Sequence, residues 1–257
     1  MLRDFKKEKY DIFIQAGQSN SEGYGFGPVD TPFCQRDPVY YLNPDFIISM
    51  ASERINGNEI QSNFSLPFAD EYISQGYLEE GRKILIIRAA VGGTGFLDGR
   101  WRAEDDLFLR MMDLIGTAVE LNDENRLLGL LWHQGETDAL LHADYDTHYS
   151  NLSTLVRLVR ETFNVPNLPF IAGDFVQHWK GENLELCTPV VDAMRAVCQN
   201  IGSSAFVETD GLLSNLQELH RKPLGWDDPI HFSRKAIYEL GKRYFNAWKA
   251  IVSTDDR

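Results

Sequence analysis

Five short runs rich in apolar and β-branched side chains recur along the chain, at residues 11–16, 83–89, 127–132, 169–172 and 205–208. They are continuous rather than alternating, the pattern of strands buried on both faces. Between them apolar residues recur every three or four positions. Leu107, Met111, Ile115 and Ala118 form one such series; Tyr145, Tyr149, Leu152, Val156, Val159 and Phe163 form a second, and Ala236, Leu240, Tyr244 and Trp248 a third. A shorter helix is expected over residues 67–74, stopped at Gly76. Buried strands alternating with amphipathic helices predict a three-layer α/β/α sandwich around a five-stranded parallel sheet. The stretch 43–64 is the least regular and reads as a surface insertion.

At roughly 150 residues per domain, a chain of 257 residues suits one generous α/β domain or two small ones. No repeat, low-complexity tract or charge block divides it, so one domain over 1–257 is expected. With 25 Lys and Arg against 38 Asp and Glu, the net charge is −13. This disfavours nucleic acid and anionic membrane as partners, because both require a basic face. No apolar run approaches membrane-spanning length. The N-terminus lacks the apolar core and small-residue cleavage site of a secretory signal, so a cytoplasmic protein is expected. Cys34, Cys187 and Cys198 form no metal-binding pattern and read as buried thiols. No motif calls for a cofactor, and nothing in the pattern sets the oligomeric state.

In doubly wound sheets, ligands lie beyond the carboxyl ends of the strands. The first run is followed by Gly17-Gln18-Ser19-Asn20 and the second by Gly92-Gly93-Thr94. The third leads into His133-Gln134-Gly135-Glu136, and Asp228-x-x-His231 precedes the last helix. All four clusters would share one edge of the sheet. A serine on a Gly-flanked turn can expose its hydroxyl at a helix N-terminus, where backbone amides face developing negative charge. An Asp three residues before a His can orient the imidazole toward such a hydroxyl.

In that order, these blocks resemble the SGNH-hydrolase superfamily, and within it the sialate O-acetylesterase and acetylxylan esterase branch, carbohydrate esterase family 6. The resemblance implies a flavodoxin-like α/β/α fold and metal-independent deacetylation of acetylated saccharides through an acyl-enzyme. It makes Ser19 the nucleophile, His231 the general base and Asp228 its orienting partner. The backbone amides of Ser19 and Gly93 and the side chain of Gln134 would form the oxyanion hole, with Glu136 as structural support. Ser21 stands where many relatives have Met, and Gly95 where many have Ser; both bear on substrate preference.

Several rival assignments exist by residue type. Ser21 competes with Ser19, and Asp227 with Asp228. His133, Glu136 and Asp138 could be imagined as a metal cluster, but their spacing matches no familiar ligand set. Trp101 and Trp226 are expected to stack on substrate, and Trp179 is a weaker candidate. Arg100 and Arg102 could hold an acidic sugar, or balance the surrounding Asp98, Glu104, Asp105 and Asp106. The glycines at 23, 25 and 27 lack the spacing of a nucleotide-binding loop, and no G-x-S-x-G elbow is present. A net charge of −13 favours a neutral acetylated oligosaccharide, of the acetylxylan type, unless local arginines intervene.

Overall fold

The first apolar run becomes β1 (Lys9–Gly17), in which every residue from Tyr10 onward is buried. The structure, a computed structural model, describes residues 4–28 and 37–255. After β1 comes the single turn α1 (Ser19–Glu22), then β2 (Gly25–Pro28), β3 (Val39–Leu42), β4 (Ile48–Met50), β5 (Arg54–Asn56), β6 (Glu59–Ser62) and α2 (Ser65–Ser74). The middle of the chain supplies β7 (Arg82–Arg88), α3 (Asp106–Glu120), β8 (Arg126–His133), α4 (Glu136–Leu140), α5 (Tyr145–Thr162) and β9 (Phe170–Gly173). It ends with α6 (Gln177–Glu182), α7 (Leu184–Asn200), β10 (Ser204–Val207), α8 (Asn215–Glu218) and α9 (Arg234–Asp255).

The main sheet runs β10-β9-β8-β1-β7-β3-β4. The five expected strands are its first five members, and each pairs with its neighbours in parallel. The expected strand number is corrected to seven: β3 adds in parallel to β7, and β4 closes the edge antiparallel to β3. β3 is a four-residue apolar run no shorter than β9 and β10 that the sequence reading passed over, and the three-residue β4 is too short to show a periodicity. Residues 43–64 are likewise more ordered than expected. They supply β4, and β5 and β6 join β2 in a separate antiparallel sheet. Gly25 and Gly27 of β2 lie against α9, where a Cβ would meet Ile237 at 2.6 Å and Arg234 at 2.9 Å. The alternating glycines are thus a packing feature.

One face of β1 is covered by α2 and α9, where Phe13 meets Phe68, Tyr72 and Trp248 edge-on. Sequence periodicity located α3, α5 and α9 but missed α7, which contains Pro189. Proline removes a backbone donor and normally argues against a helix interior. Here Cys187, Val190, Val191, Met194, Val197 and Cys198 still form a buried stripe. Burial pushes the thiols of Cys187 and Cys198 up to about 12, which keeps them protonated and inert. Cys34 lies outside the described residues. Among those residues, no helix is long and apolar enough to cross a membrane.

At the amino end of β1 the buried Asp11 accepts hydrogen bonds from Arg82 (2.7 Å), Arg126 (3.0 Å) and Tyr72 (2.8 Å). This polar cluster ties β1, β7 and β8 together at the end opposite their loops. The carboxyl ends of the same three strands carry the first three sequence blocks.

Candidate active site

β1 and β8 run side by side to their last residues, with Gly17 opposite His133. Gly17 adopts φ +121°, and any Cβ there would overlap the His133 carbonyl. A larger residue would therefore drive the strands apart where the Gln18 amide donates to that carbonyl at 2.9 Å. The turn places Ser19 at the first position of α1. Its backbone N–H has no intrahelical acceptor there and faces outward from the helix start.

Ser19 Oγ lies 2.8 Å from His231 Nε2, and His231 Nδ1 lies 2.9 Å from Asp228 Oδ2. The Asp228 carboxylate accepts the Nδ1 proton, which leaves the Nε2 lone pair facing the Ser19 hydroxyl. Asp228 Oδ1 also accepts the His231 backbone N–H at 3.2 Å, and Asn215 Nδ2 donates to Oδ2 at 2.8 Å. All three side chains of the triad are buried. The rivals stand elsewhere: Ser21 is wholly buried with an unpartnered hydroxyl, and Asp227 pairs with Lys222 at 2.8 Å.

Asn20 locks this arrangement. Its Nδ2 donates to Glu136 Oε1 (2.7 Å) and to the Ile230 carbonyl (3.0 Å), and its Oδ1 accepts from the Phe232 amide (3.1 Å). One side chain thereby ties the serine turn to both the third block and the histidine loop. Glu136 is fully buried, and the loss of solvent pushes its carboxyl pKa upward. Tyr24 stacks on the His231 ring with centroids 4.9 Å apart. Trp226 approaches the same ring edge-on at 6.2 Å and is 46% exposed, so it stands at the mouth of the site.

The second block lines the other side of Ser19. A Cβ on Gly92 would sit 3.5 Å from Ser19 Cβ, while the Gly92 amide donates to Glu22 Oε2 at 2.7 Å. The next amide, at Gly93, has no acceptor among the described residues. Gly93 takes φ +69° and its Cβ position is open, so this loop presents backbone rather than side chain. Gln134 is fully buried: its Nε2 donates to Asp138 Oδ2 at 2.8 Å and lies 3.3 Å from the Thr94 carbonyl. Asp138 also accepts the Phe96 and Leu97 amides, which anchors the second block to the third.

Other candidates are not brought to the site. Trp101 has no exposed surface; its Nε1 donates to Thr94 Oγ1 (2.9 Å) and its ring packs on Trp132. The expectation that Trp101 stacks on substrate is corrected, because neither face of its indole is open. Trp179 is buried against Phe175. Arg100 and Arg102 pair with Asp106 (2.7 Å) and Asp105 (3.1 Å), so their charges are spent locally. The sequence reading missed the roles of Asn20, Tyr24 and Asn215. Asn20 sits inside a quoted block, whereas Tyr24 and Asn215 carry no local signal.

His133 faces the core. The Tyr244 hydroxyl donates to the Trp132 carbonyl at 2.7 Å, so at 2.9 Å it accepts from His133 Nδ1–H. The Nε2 lone pair is left buried without a partner. Burial lowers this imidazole pKa from 6.5 to about 3. Between those values the unfolded chain binds the proton and the folded protein does not. Stability should therefore fall with pH below 6.5, by about 1.4 kcal/mol per pH unit from this residue. Urea titrations from pH 7 to pH 4 should show a steeper loss for the wild type than for His133→Gln. Parallel curves would remove His133 as the cause.

The family model for carbohydrate esterase, sialic acid-specific acetylesterase, matches residues 9–250. A probable 9-O-acetyl-N-acetylneuraminic acid deacetylase from Escherichia coli is 25% identical, over 66% of this chain and 68% of that protein. A probable carbohydrate esterase from Arabidopsis thaliana is 31% identical, over 62% of this chain and 66% of that protein. The solved structure of NanS superposes with a TM-score of 0.79 at 20% identity, covering 97% of this chain and 99% of that one.

Proposed function

Because the chain belongs to the sialic acid-specific acetylesterase family of carbohydrate esterases, and so is a carboxylic ester hydrolase, we propose that Ser19, His231 and Asp228 remove O-acetyl groups from a sialate-type sugar. The observation that carries the reaction is the 2.8 Å contact between Ser19 Oγ and His231 Nε2, backed by Asp228. The substrate class draws support from the family description and from the name of the Escherichia coli relative.

In this reading Ser19 Oγ attacks the acetyl carbonyl carbon while His231 Nε2 takes the hydroxyl proton. The oxyanion forms between the Ser19 and Gly93 amides, neither of which has an acceptor among the described residues. Gln134 lies buried behind them with its Nε2 donating to Asp138 and to the Thr94 carbonyl, so it joins the hole only by giving up the longer, 3.3 Å contact with Thr94. His231 then protonates the departing sugar oxygen as the ester C–O bond breaks. Water, deprotonated by His231, attacks acetyl-Ser19 and releases acetate. Trp226 flanks the entrance as an apolar wall for the sugar ring. We assign the whole of this chemistry to one domain over residues 1–257.

Acetate release from O-acetylated sialate should exceed that from acetylated xylo-oligosaccharides by about tenfold or more in kcat/KM, the ratio expected from one additional charged contact. A preference for the xylo-oligosaccharides would sink the sialate assignment. No release from either would sink the esterase.

A further inference from the structure

Beside the Ser19 turn lies a cavity of about 340 Å³ whose wall includes Glu22, Gly23, Glu53, Arg54, Arg88 and Ala90. Two of these belong to α1 and its cap, and Ala90 stands two residues before the second block. The cavity adjoins the candidate active site, because its lining residue Glu22 and Ser19 flank one position: a Cβ on Gly92 would meet Glu22 Oε2 at 3.2 Å and Ser19 Cβ at 3.5 Å.

Its charges are unevenly matched. Glu53 is taken up by Arg234, at 2.8 and 3.0 Å, and by the Tyr238 hydroxyl. Glu22 turns its carboxylate to the Gly92 amide. Arg88 lies flat over Tyr41, 4.7 Å from the ring centroid, and donates to the Glu22 carbonyl; neither contact neutralises it. Arg54 projects from the edge strand β5 and meets no carboxylate among the described residues. With Arg234 cancelling Glu53, the two guanidiniums of Arg54 and Arg88 face the one carboxylate of Glu22, so the wall keeps a single positive excess in a protein whose net charge is −13. Tyr24 links the cavity to the triad. Its ring lies on His231, and its phenol, raised mainly by burial, feels the charges of both Glu22 and Arg54.

We propose that Arg54 and Arg88 form a subsite for the carboxylate of an acidic sugar whose O-acetyl group is presented to Ser19. The inference rests on the esterase reading above and adds what selects the substrate. A guanidinium offers paired N–H donors that match a carboxylate, and an arginine with no counter-ion exchanges only water when it binds one. A neutral acetylated oligosaccharide would leave both charges unanswered. The acidic surface then works against anions everywhere except at this wall, which carries the discrimination.

The test is calorimetric binding of N-acetylneuraminate and of its methyl ester to the full-length protein. The wild type should bind the acid about tenfold tighter than the ester, the worth of one charge-assisted hydrogen bond. Arg54→Gln should weaken the acid about fivefold or more and leave the ester unchanged, and Arg54→Gln/Arg88→Gln should make the two ligands equal. Arg157→Gln alters net charge equally but removes only the α5 surface pair with Glu161, so it should change nothing. Equal binding of acid and ester by the wild type, no binding of either, or undiminished acid binding by Arg54→Gln would overturn the subsite. Because the probes carry no acetyl group, such a failure with acetate release intact sinks the subsite alone. Loss of acetate release with acid binding retained sinks the esterase reading alone.

Discussion

Replacing Ser19 by alanine should lower kcat/KM for acetate release by about 10⁵–10⁶-fold, the usual cost of deleting a triad nucleophile. The fold should survive, because among the described residues Ser19 Oγ hydrogen-bonds to His231 alone, and loss of one such hydrogen bond costs about 1 kcal/mol. The effect should fall almost wholly on kcat, since the hydroxyl forms its bond to carbon only after substrate is bound. The wild type should also be labelled at Ser19 by a serine-reactive phosphonate, read as a mass shift on the peptide containing it. Ser21→Ala is the matched control: its hydroxyl is buried and unpartnered, and activity should stay within about threefold of wild type. Wild-type turnover by Ser19→Ala, or labelling at Ser21, would remove Ser19 from the mechanism.

The second large effect is expected at Asp228, where asparagine should cost about 10⁴-fold in kcat. Asp228 Oδ2 accepts from His231 Nδ1 and from Asn215 Nδ2, and Oδ1 accepts from the His231 amide. Asparagine has one acceptor oxygen for these three donors. If its amide faces Nδ1, the ring must carry its proton on Nε2 instead, and the lone pair that should receive the Ser19 proton disappears. Circular dichroism and melting temperature should change little, as the volume is conserved. Asp227→Asn, which loses the ion pair with the exposed Lys222, should remain within about threefold of wild type. Comparable losses in the two variants would show that general charge near the loop, rather than the orientation of His231, sets the rate.

The candidate site was legible in the sequence wherever neighbouring residues carry the geometry. Asp228 and His231 are three positions apart, and the loop that brings them together is local. Ser19 follows β1 directly, so its place at a helix start could be read from the strand and the glycines around it. The contact between Ser19 and His231 joins residues 212 positions apart. It exists because Asn20 fastens the histidine loop to the serine turn. Trp101 and Trp226 looked alike as aromatic residues near a block. The loop after β7 folds Trp101 back onto Trp132, whereas Trp226 precedes a loop that opens beside His231.

What the sequence determined by itself was the parallel sheet, three of its long helices and the order of the polar blocks along one edge, because buried strands and amphipathic helices impose periods that survive without contacts. The outer strands β3 and β4, the second sheet and α7 were decided by tertiary packing, since β3 and β4 are set by pairing beyond β7 and Pro189 masks a buried helical stripe. The same division holds for charge. A net −13 is a property of composition, and Arg100 and Arg102 drew attention only by standing near a block. Whether a charge is spent depends on what lies across from it in space: Arg100 and Arg102 meet aspartates, while Arg54 and Arg88 face a cavity beside the Ser19 turn with no carboxylate among the described residues paired to either.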